Sequence, residues 1–229
     1  MKAMILAAGR GERMRPLTDH LPKPLLQVGG TPLIGHHLHA LAAAGIQDVV
    51  INHAWLGQLI EQQLGNGAGY GVNLQYSAEG EKGLETAGGI VKALPLLGSD
   101  PFIVINGDVF TDYPFRMLAE ARASHILAHL VLVPNPAQHP LGDFGLDTDS
   151  GLALPSADTQ FTYSGIGWFR PEFFAEIAQG PQKLAPYLRE AMARRQVSAE
   201  VYGGLWADIG TPERLVQINQ EQRDRQYVG

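Results

Sequence analysis

Short apolar runs alternate with longer amphipathic stretches through the first half of this chain, and that alternation restricts the fold more than any other feature. Residues 3–7 read as a buried strand followed by a helical pattern over 33–44, and 48–51 is followed by 56–64. The same order repeats at 72–76 with 86–96 and at 102–105 with 115–123. Apolar residues on a helical period, set between short strand-like runs, are what a parallel sheet covered by helices requires. After a break at Pro134-Asn135-Pro136 come short alternating segments around 144–146 and 161–169, then helical patterns over 172–178 and 184–195. A short strand at 201–202 and a closing helix over 212–225 follow, the latter with Thr211 as N-cap and Pro212 at its first position. The expected fold class is α/β, with one domain over residues 1–229 built on a mixed, mainly parallel sheet with helices on both faces.

A chain of 229 residues can bury a substantial core without disulfides or metal staples. Seventeen basic against 23 acidic side chains give a net charge of −6, so no global positive field draws the chain to nucleic acid. With no cysteine, thiolate catalysis and cysteine zinc sites are excluded. The apolar start at residues 1–8 superficially resembles a signal peptide, but Arg10, Glu12, Arg13 and Arg15 follow at once. No run approaches the ~20 apolar residues of a membrane span. No membrane partner and a cytoplasmic location are expected.

The chemistry concentrates first at Leu6-Ala7-Ala8-Gly9-Arg10-Gly11-Glu12-Arg13-Met14-Arg15-Pro16-Leu17-Thr18, where a strand runs into a glycine- and arginine-rich loop. Glycines allow backbone N–H groups close to phosphate oxygens, while Arg13, Arg15 and Lys23 of Pro22-Lys23-Pro24 can neutralise a triphosphate. The dinucleotide fingerprint lacks its third glycine at Met14, and no Gly-Lys-Ser/Thr of a Walker loop is present. Alone, such a loop is equally compatible with a charged surface turn. Two aspartates add to it: Asp108 ends the apolar run 103–105, and Asp208 stands just before the last helix. Such a pair can hold a magnesium ion that bridges phosphates, although strand-end aspartates also serve as turn formers or caps.

Together these segments resemble the sugar nucleotidyltransferase family over most of the chain. Further matches to its motifs are Gly83-Leu84-Glu85-Thr86-Ala87-Gly88-Gly89, Asn106-Gly107-Asp108, Ser164-Gly165-Ile166 and Trp206-x-Asp208-x-Gly210-Thr211. The resemblance implies a Rossmann-like fold of the nucleotide-diphospho-sugar transferase type, acting on a nucleoside triphosphate and a sugar 1-phosphate with release of pyrophosphate. It implies a nucleotide-binding loop at Ala7, Ala8, Gly9 and Gly11, base and ribose contacts from Glu79 and Gly88, and Mg2+ between Asp108 and Asp208. Arg13, Lys23 and Asp108 would be the catalytic residues. Residues 1–112 would mainly bind nucleotide, and 113–229 mainly the sugar phosphate.

Two departures from the family pattern narrow this reading. The Glu-Lys-Pro motif that holds the sugar and its phosphate in many relatives is missing from 152–162. Lys183, at the start of an amphipathic helix, is one candidate replacement and a solvated helix-start lysine is the other reading; Asp143 of Gly142-Asp143-Phe144 joins it as a sugar-phosphate residue. The chain is also expected to be a minimal catalytic unit, without the β-helix extension of some relatives and with no obligatory protein partner. Among short members, Val50-Ile51-Asn52-His53-Ala54-Trp55 and Lys183-Leu184-Ala185-Pro186 resemble the forms that use UTP and N-acetylmuramate 1-phosphate in peptidoglycan recycling. GTP with mannose 1-phosphate is the alternative substrate pair, and an inactive regulatory subunit or an NTP hydrolase are the alternative functions. His36, His37 and His39 read as packing or surface histidines rather than ligands, since neighbours on a helix face different ways. Trp55 and Tyr163 suit either a core or a stacking role.

Overall fold

Ala3 and Ile5 pack into one hydrophobic layer and Met4 into another, and all three are fully buried. A strand buried on both faces belongs inside a sheet that is covered on both sides. In the computed structural model, residues 1–120 and 122–228 are described. The strands are β1 (Lys2–Leu6), β2 (Gln27–Val28), β3 (Thr31–Pro32), β4 (Asp48–His53), β5 (Asn73–Ala78), β6 (Phe102–Asn106) and β7 (Val109–Thr111). They continue with β8 (Ala128–Val133), β9 (Gly145–Asp147), β10 (Leu152–Leu154), β11 (Thr162–Phe169), β12 (Val197–Val201) and β13 (Trp206–Asp208). The helices are α1 (Leu33–Ala43), α2 (Gly57–Leu64), α3 (Glu85–Leu97), α4 (Leu184–Ala193) and α5 (Pro212–Val228).

Among the described residues, nine strands form the main sheet in the order β5-β4-β1-β6-β11-β8-β12-β10-β9. The first four are mutually parallel, as the strand–helix alternation predicts. Beyond them β11 runs antiparallel to both β6 and β8, β12 is parallel to β8, and β10 and β9 close the edge as antiparallel strands. Ile34, Leu38 and Leu41 of α1 and Ile60 of α2 cover one face over Val49, Ile51, Ile103 and Ile105. The other face carries Ala87, Ile90 and Ala93 of α3 with Leu184 and Leu188 of α4, packed over Val50, Phe102 and Val104. Successive strand residues thus feed opposite layers, and the α/β class with helices on both faces follows. A third cluster, with Met14, Leu26, Val28, Phe110, Ile209 and Ile218, fastens the loop after β1 and helix α5 to the β7–β13 pair.

Several elements differ from the sequence reading. Residues 115–123, read as a helix, form a 3-10 turn at Phe115–Ala119, and Ala121 lies outside the described residues. Its buried anchors, Phe115 and Leu118, stand three apart, and a 3-10 helix stacks i over i+3. Residues 172–178 give only a 3-10 turn at Pro171–Phe174, with the next buried anchor, Ile177, again three beyond Phe174. Strand β8, buried at all six positions, has no counterpart in the sequence reading, and β12 begins at Val197 rather than at 201.

The clustered histidines pack. The His36 ring stands edge-on to Phe110 at 5.0 Å with Nε2 against the Val28 carbonyl at 2.9 Å, and His39 lies 5.0 Å from Tyr70. His37 is 1% exposed, and its Nε2 has no hydrogen-bond partner among the described residues. Burial lowers its pKa to about 4, against the opposing pull of the Val109 carbonyl and the Asp108 charge.

A pH dependence follows from that burial. The unfolded chain takes up a proton near pH 6.5, while the fold keeps His37 neutral down to about pH 4. Between those values the unfolded state holds more protons, so stability rises with pH. On acidification it should fall by up to about 3 kcal/mol and then level off. Urea unfolding at pH 7 and pH 4.5 should show a smaller difference for His37→Leu than for the parent; equal differences would place the effect elsewhere.

Candidate active site

The parallel strands β1, β4 and β6 end side by side, and a cavity of about 670 Å³ opens at their carboxyl ends. That is where an open α/β sheet takes its ligands, and the volume suits a small molecule. One wall is the loop Ala7–Gly11 with Arg13; the others are Asn52 at the end of β4 with Trp55 beyond it, residues 81–83 before α3 with Glu85 and Thr86 in it, and Asn106 at the end of β6 with Gly107 and Asp108 beyond it. Lys23 and Gly210 also line it.

The backbone of that loop is prepared for an anion. Where β1 leaves its ladder, the Ala7 N–H donates to Asn52 Oδ1 at 2.9 Å. Among the described residues, the next amides, at Ala8, Gly9 and Gly11, donate to nothing within the protein. Successive free N–H groups of this kind form an anion-binding concavity. Gly11 adopts φ 72°, the left-handed region that glycine enters without strain, and the face of Gly9 where a Cβ would stand is open.

Charges stand beside this loop: a Cβ on Gly11 would lie 3.4 Å from that of Lys23. Lys23, 8% exposed, holds Asp108 Oδ2 at 2.6 Å, so its ammonium is placed by a carboxylate in the cavity wall. Asp208 Oδ2 is held by Arg214 at 2.5 Å. A Cβ built on Gly210 would lie 3.1 Å from Asp208 Oδ1 and 3.2 Å from an Arg13 guanidinium nitrogen, so both groups flank that cavity glycine. The register pairs Asp208 with Val109, and the Ile209 N–H donates to the Asp108 carbonyl at 2.9 Å. The β7–β13 pair therefore brings together two aspartates that are a hundred residues apart in sequence.

Both the sequence over nearly its whole length and the fold recur in known proteins. The family model described as nucleotidyl transferase matches residues 2–225. The chain belongs to the nucleotidyl transferase family. It is 56% identical over 220 residues to an N-acetylmuramate α-1-phosphate uridylyltransferase of Neisseria meningitidis, covering 94% of this chain and 95% of that protein. A Caulobacter vibrioides protein of the same name is 33% identical, with 92% of each chain covered. A mannose-1-phosphate guanyltransferase of Hypocrea jecorina is 42% identical over 93% of this chain, which spans 62% of that longer protein. A crystal structure of a Bacillus anthracis protein described as a glucose-1-phosphate thymidylyltransferase, 24% identical, superposes with a TM-score of 0.85 over 98% of this chain and 96% of that one, and shows the shared fold.

In this nucleotidyl transferase, seven residues singled out from sequence line the cavity: Ala7, Ala8, Gly9, Gly11, Arg13, Lys23 and Asp108. Glu79, Gly88, Asp143, Lys183 and Asp208 are not among the lining residues. Asp143 contacts His139 Nε2 at 3.1 Å and accepts the Tyr163 N–H at 2.9 Å, while Lys183 is exposed at the start of α4. Arg15 turns away to Asp19 at 2.8 Å. Other lining residues were given no individual role in the sequence reading: Arg10, Asn52 and Thr86 stood there only within motifs, and Glu81 and Lys82 were not named. Arg10 stacks 3.9 Å over Trp55, and both donate to the Thr18 carbonyl, at 2.9 and 3.2 Å, which fixes that wall. Its signal was in plain view, a cation between the two loop glycines.

The start of α3 explains Gly88. The Gln182 carbonyl accepts N–H groups of Ala87 and Gly88 at 2.9 and 3.2 Å, and the Gln182 N–H donates to the Leu84 carbonyl at 3.0 Å. A Cβ on Gly88 would stand 2.0 Å from the Gly180 carbonyl. Gly88→Ala should therefore lift residues 180–182 off the helix. Native-state amide exchange would report it as at least about a tenfold faster rate at Ala87, Gly88 and Gln182, with central strands such as β6 unaffected.

Proposed function

We propose that the chain transfers the uridylyl group of UTP to N-acetylmuramate 1-phosphate, releasing pyrophosphate, with Mg2+ as cofactor, and that it acts in the cytoplasm in peptidoglycan recycling. The observation that carries the chemistry is the run of free amides at Ala8, Gly9 and Gly11 facing a cavity that also holds Arg13, Lys23 and Asp108. The likeness to the Neisseria uridylyltransferase along nearly the whole of both chains supports UTP and N-acetylmuramate 1-phosphate. No helix among the described residues is long and apolar enough to cross a membrane.

An oxygen of the sugar 1-phosphate attacks the α-phosphorus of UTP. The bond from that phosphorus to the bridging oxygen of the β-phosphate breaks, and pyrophosphate leaves with the electron pair. The nucleophile is already ionised and needs no base, so the protein's task is to bring two anions together and to balance charge as it shifts. Two like charges 4 Å apart repel by about 1 kcal/mol in water and about 4 kcal/mol at an effective dielectric of 20. Several donors are therefore assigned to the phosphates: the loop amides, Arg13 and Lys23. Residues 1–112 hold the nucleotide in this reading and residues 113–229 the sugar phosphate, with Asp143 and Lys183 as its polar contacts. Lys183 follows Gln182, which is bonded to Leu84 at the border of the cavity.

Asp108 and Asp208 suit magnesium. In each carboxylate Oδ2 is held by a cation, whereas Oδ1 accepts no hydrogen bond among the described residues, which leaves an all-oxygen donor set. When bound there, the ion supplies positive charge to the triphosphate and the leaving pyrophosphate.

Pyrophosphate release over a panel of UTP, dTTP, GTP and CTP, each with N-acetylmuramate 1-phosphate and mannose 1-phosphate, tests the substrate assignment. The UTP and N-acetylmuramate 1-phosphate pair should give the highest kcat/KM; a preference for GTP with mannose 1-phosphate would replace it. Asp108→Asn should reduce turnover about a hundredfold or more with the fold intact, and near-normal activity would remove Asp108 from the site. Lys183→Ala should raise KM for the sugar phosphate by roughly 10- to 100-fold and leave that for UTP nearly unchanged. If neither KM moves, Arg10 or Lys82, which line the cavity, takes its place.

A further inference from the structure

Glu79 is 8% exposed, Asn52 is 2% exposed, and they form a chain of hydrogen bonds with a single possible polarity. The Ala7 N–H can only donate, so Asn52 must turn its carbonyl oxygen toward it, at 2.9 Å. The Asn52 amide nitrogen then faces Glu79 and donates to Oε1 at 2.6 Å. The other carboxylate oxygen, Oε2, accepts the Leu84 N–H at 2.6 Å, and the Glu79 N–H is bound by the His53 carbonyl at 2.8 Å. Both oxygens of Glu79 are thus engaged by donors of the protein itself. Space for this junction is left by Gly89, where a Cβ would come within 2.5 Å of Glu79 Oε1 and 2.8 Å of Asn52 Nδ2.

We infer that Glu79 is a positioning residue, acting through Asn52 and Leu84 to set the two amide rows of the nucleotide site at their working separation, rather than an acceptor for the base. The relay joins the ends of β1, β4 and β5 to the start of α3. At one end Ala7 opens the loop whose free amides follow at Ala8 and Gly9. At the other, Leu84 precedes Glu85 and Thr86, the two cavity residues of α3 whose N–H groups are not taken by Gln182. A helix start leaves such donors for whatever lies before it. Movement of Glu79 would shift one row relative to the other, on either side of one cavity. The inference rests on the reading of the site as a nucleotidyl transfer centre.

The donor and acceptor matching supplies the test. In Glu79→Gln one amide NH2 must face either the Asn52 NH2 or the Leu84 N–H, and one bond of the relay is lost. In the double variant Asn52→Asp with Glu79→Gln, position 52 accepts from both Ala7 and residue 79, residue 79 still accepts from Leu84, and the total charge is unchanged. The single variant should lower kcat/KM by roughly tenfold or more, by a common factor for UTP, dTTP and CTP. The double variant should return to within about threefold of the parent. Gly89→Ala, which crowds the same bond from the α3 side, should reproduce the uniform loss.

A single variant that changes the ratio of UTP to CTP, with no recovery in the double, would make Glu79 a base contact and overturn the inference. So would a fall in melting temperature alone with kcat/KM kept, since that marks a tie of purely structural value. The parent distinguishes the two readings. If it releases no pyrophosphate with any sugar 1-phosphate, the proposed reaction fails, and UTP affinities of the same variants by calorimetry still test the relay, with the loss and the recovery expected in Kd.

Discussion

At the ends of β1, β4 and β6 the sheet's hydrogen-bond ladder runs out, and the backbone groups that it no longer serves must find other partners or a ligand. A buried amide without an acceptor costs about 1–3 kcal/mol, so these ends cannot be left unattended. The chain resolves the matter unequally. The Gly107 N–H is taken by the Leu6 carbonyl at 2.9 Å and the Ala7 N–H by Asn52, which locks the three strand ends together. The next amides are left open to the cavity. Rigid bonding up to Ala7 and none just after it makes the same short segment a structural junction and, in the proposed reaction, a phosphate cradle.

Charge follows a similar division. Lys23 and Asp108 lie 2.6 Å apart in the wall, and Asp208 and Arg214 form a second pair behind Gly210. Each pair holds its charges in place before any substrate arrives. A partly buried ion pair gains Coulomb energy but loses hydration, so it adds little net stability while fixing orientation well. For a site that must collect two phosphorylated substrates, fixed orientation is the more useful property. In the proposed reaction, donors fixed in this way would not have to reorganise as charge moves toward the leaving pyrophosphate.

Much of this was legible in the sequence wherever the cause was local. The short apolar runs at 3–7 and 102–105, the glycine-arginine loop and the proline-flanked Lys23 are local patterns, and the structure puts them in β1, β6 and one cavity. What escaped depends on partners far along the chain. Strand β8 carries His129 within an apolar run, and only the neighbours β11 and β12 make that run a strand. The pieces at 115–119 and 171–174 look helical by composition, yet the three-residue spacing of their buried anchors keeps them as 3-10 turns. Arg10 was passed over for Arg13 and Arg15 because nothing near it in sequence shows that Trp55, 45 residues later, would receive its guanidinium.

Gly88 and Gly89 show how a local motif hides a long-range reason. Both stand on α3, and a glycine-rich helix start reads naturally as a place for phosphate. Yet the room beside Gly88 is filled by the Gly180 carbonyl, and the room beside Gly89 by the Asn52–Glu79 bond. The Ala87 and Gly88 amides, which would otherwise extend the positive end of the helix toward an anion, are occupied by the Gln182 carbonyl. That leaves the loop after β1 as the broader row of free donors, on the side of the cavity to which the proposed reaction assigns the triphosphate. It also joins the segment before α4 directly to the wall of the cavity. The chain that brings Lys183 to the start of α4 is thereby anchored to the helix whose start borders the cavity, so residues 180–182 cannot be displaced without disturbing α3.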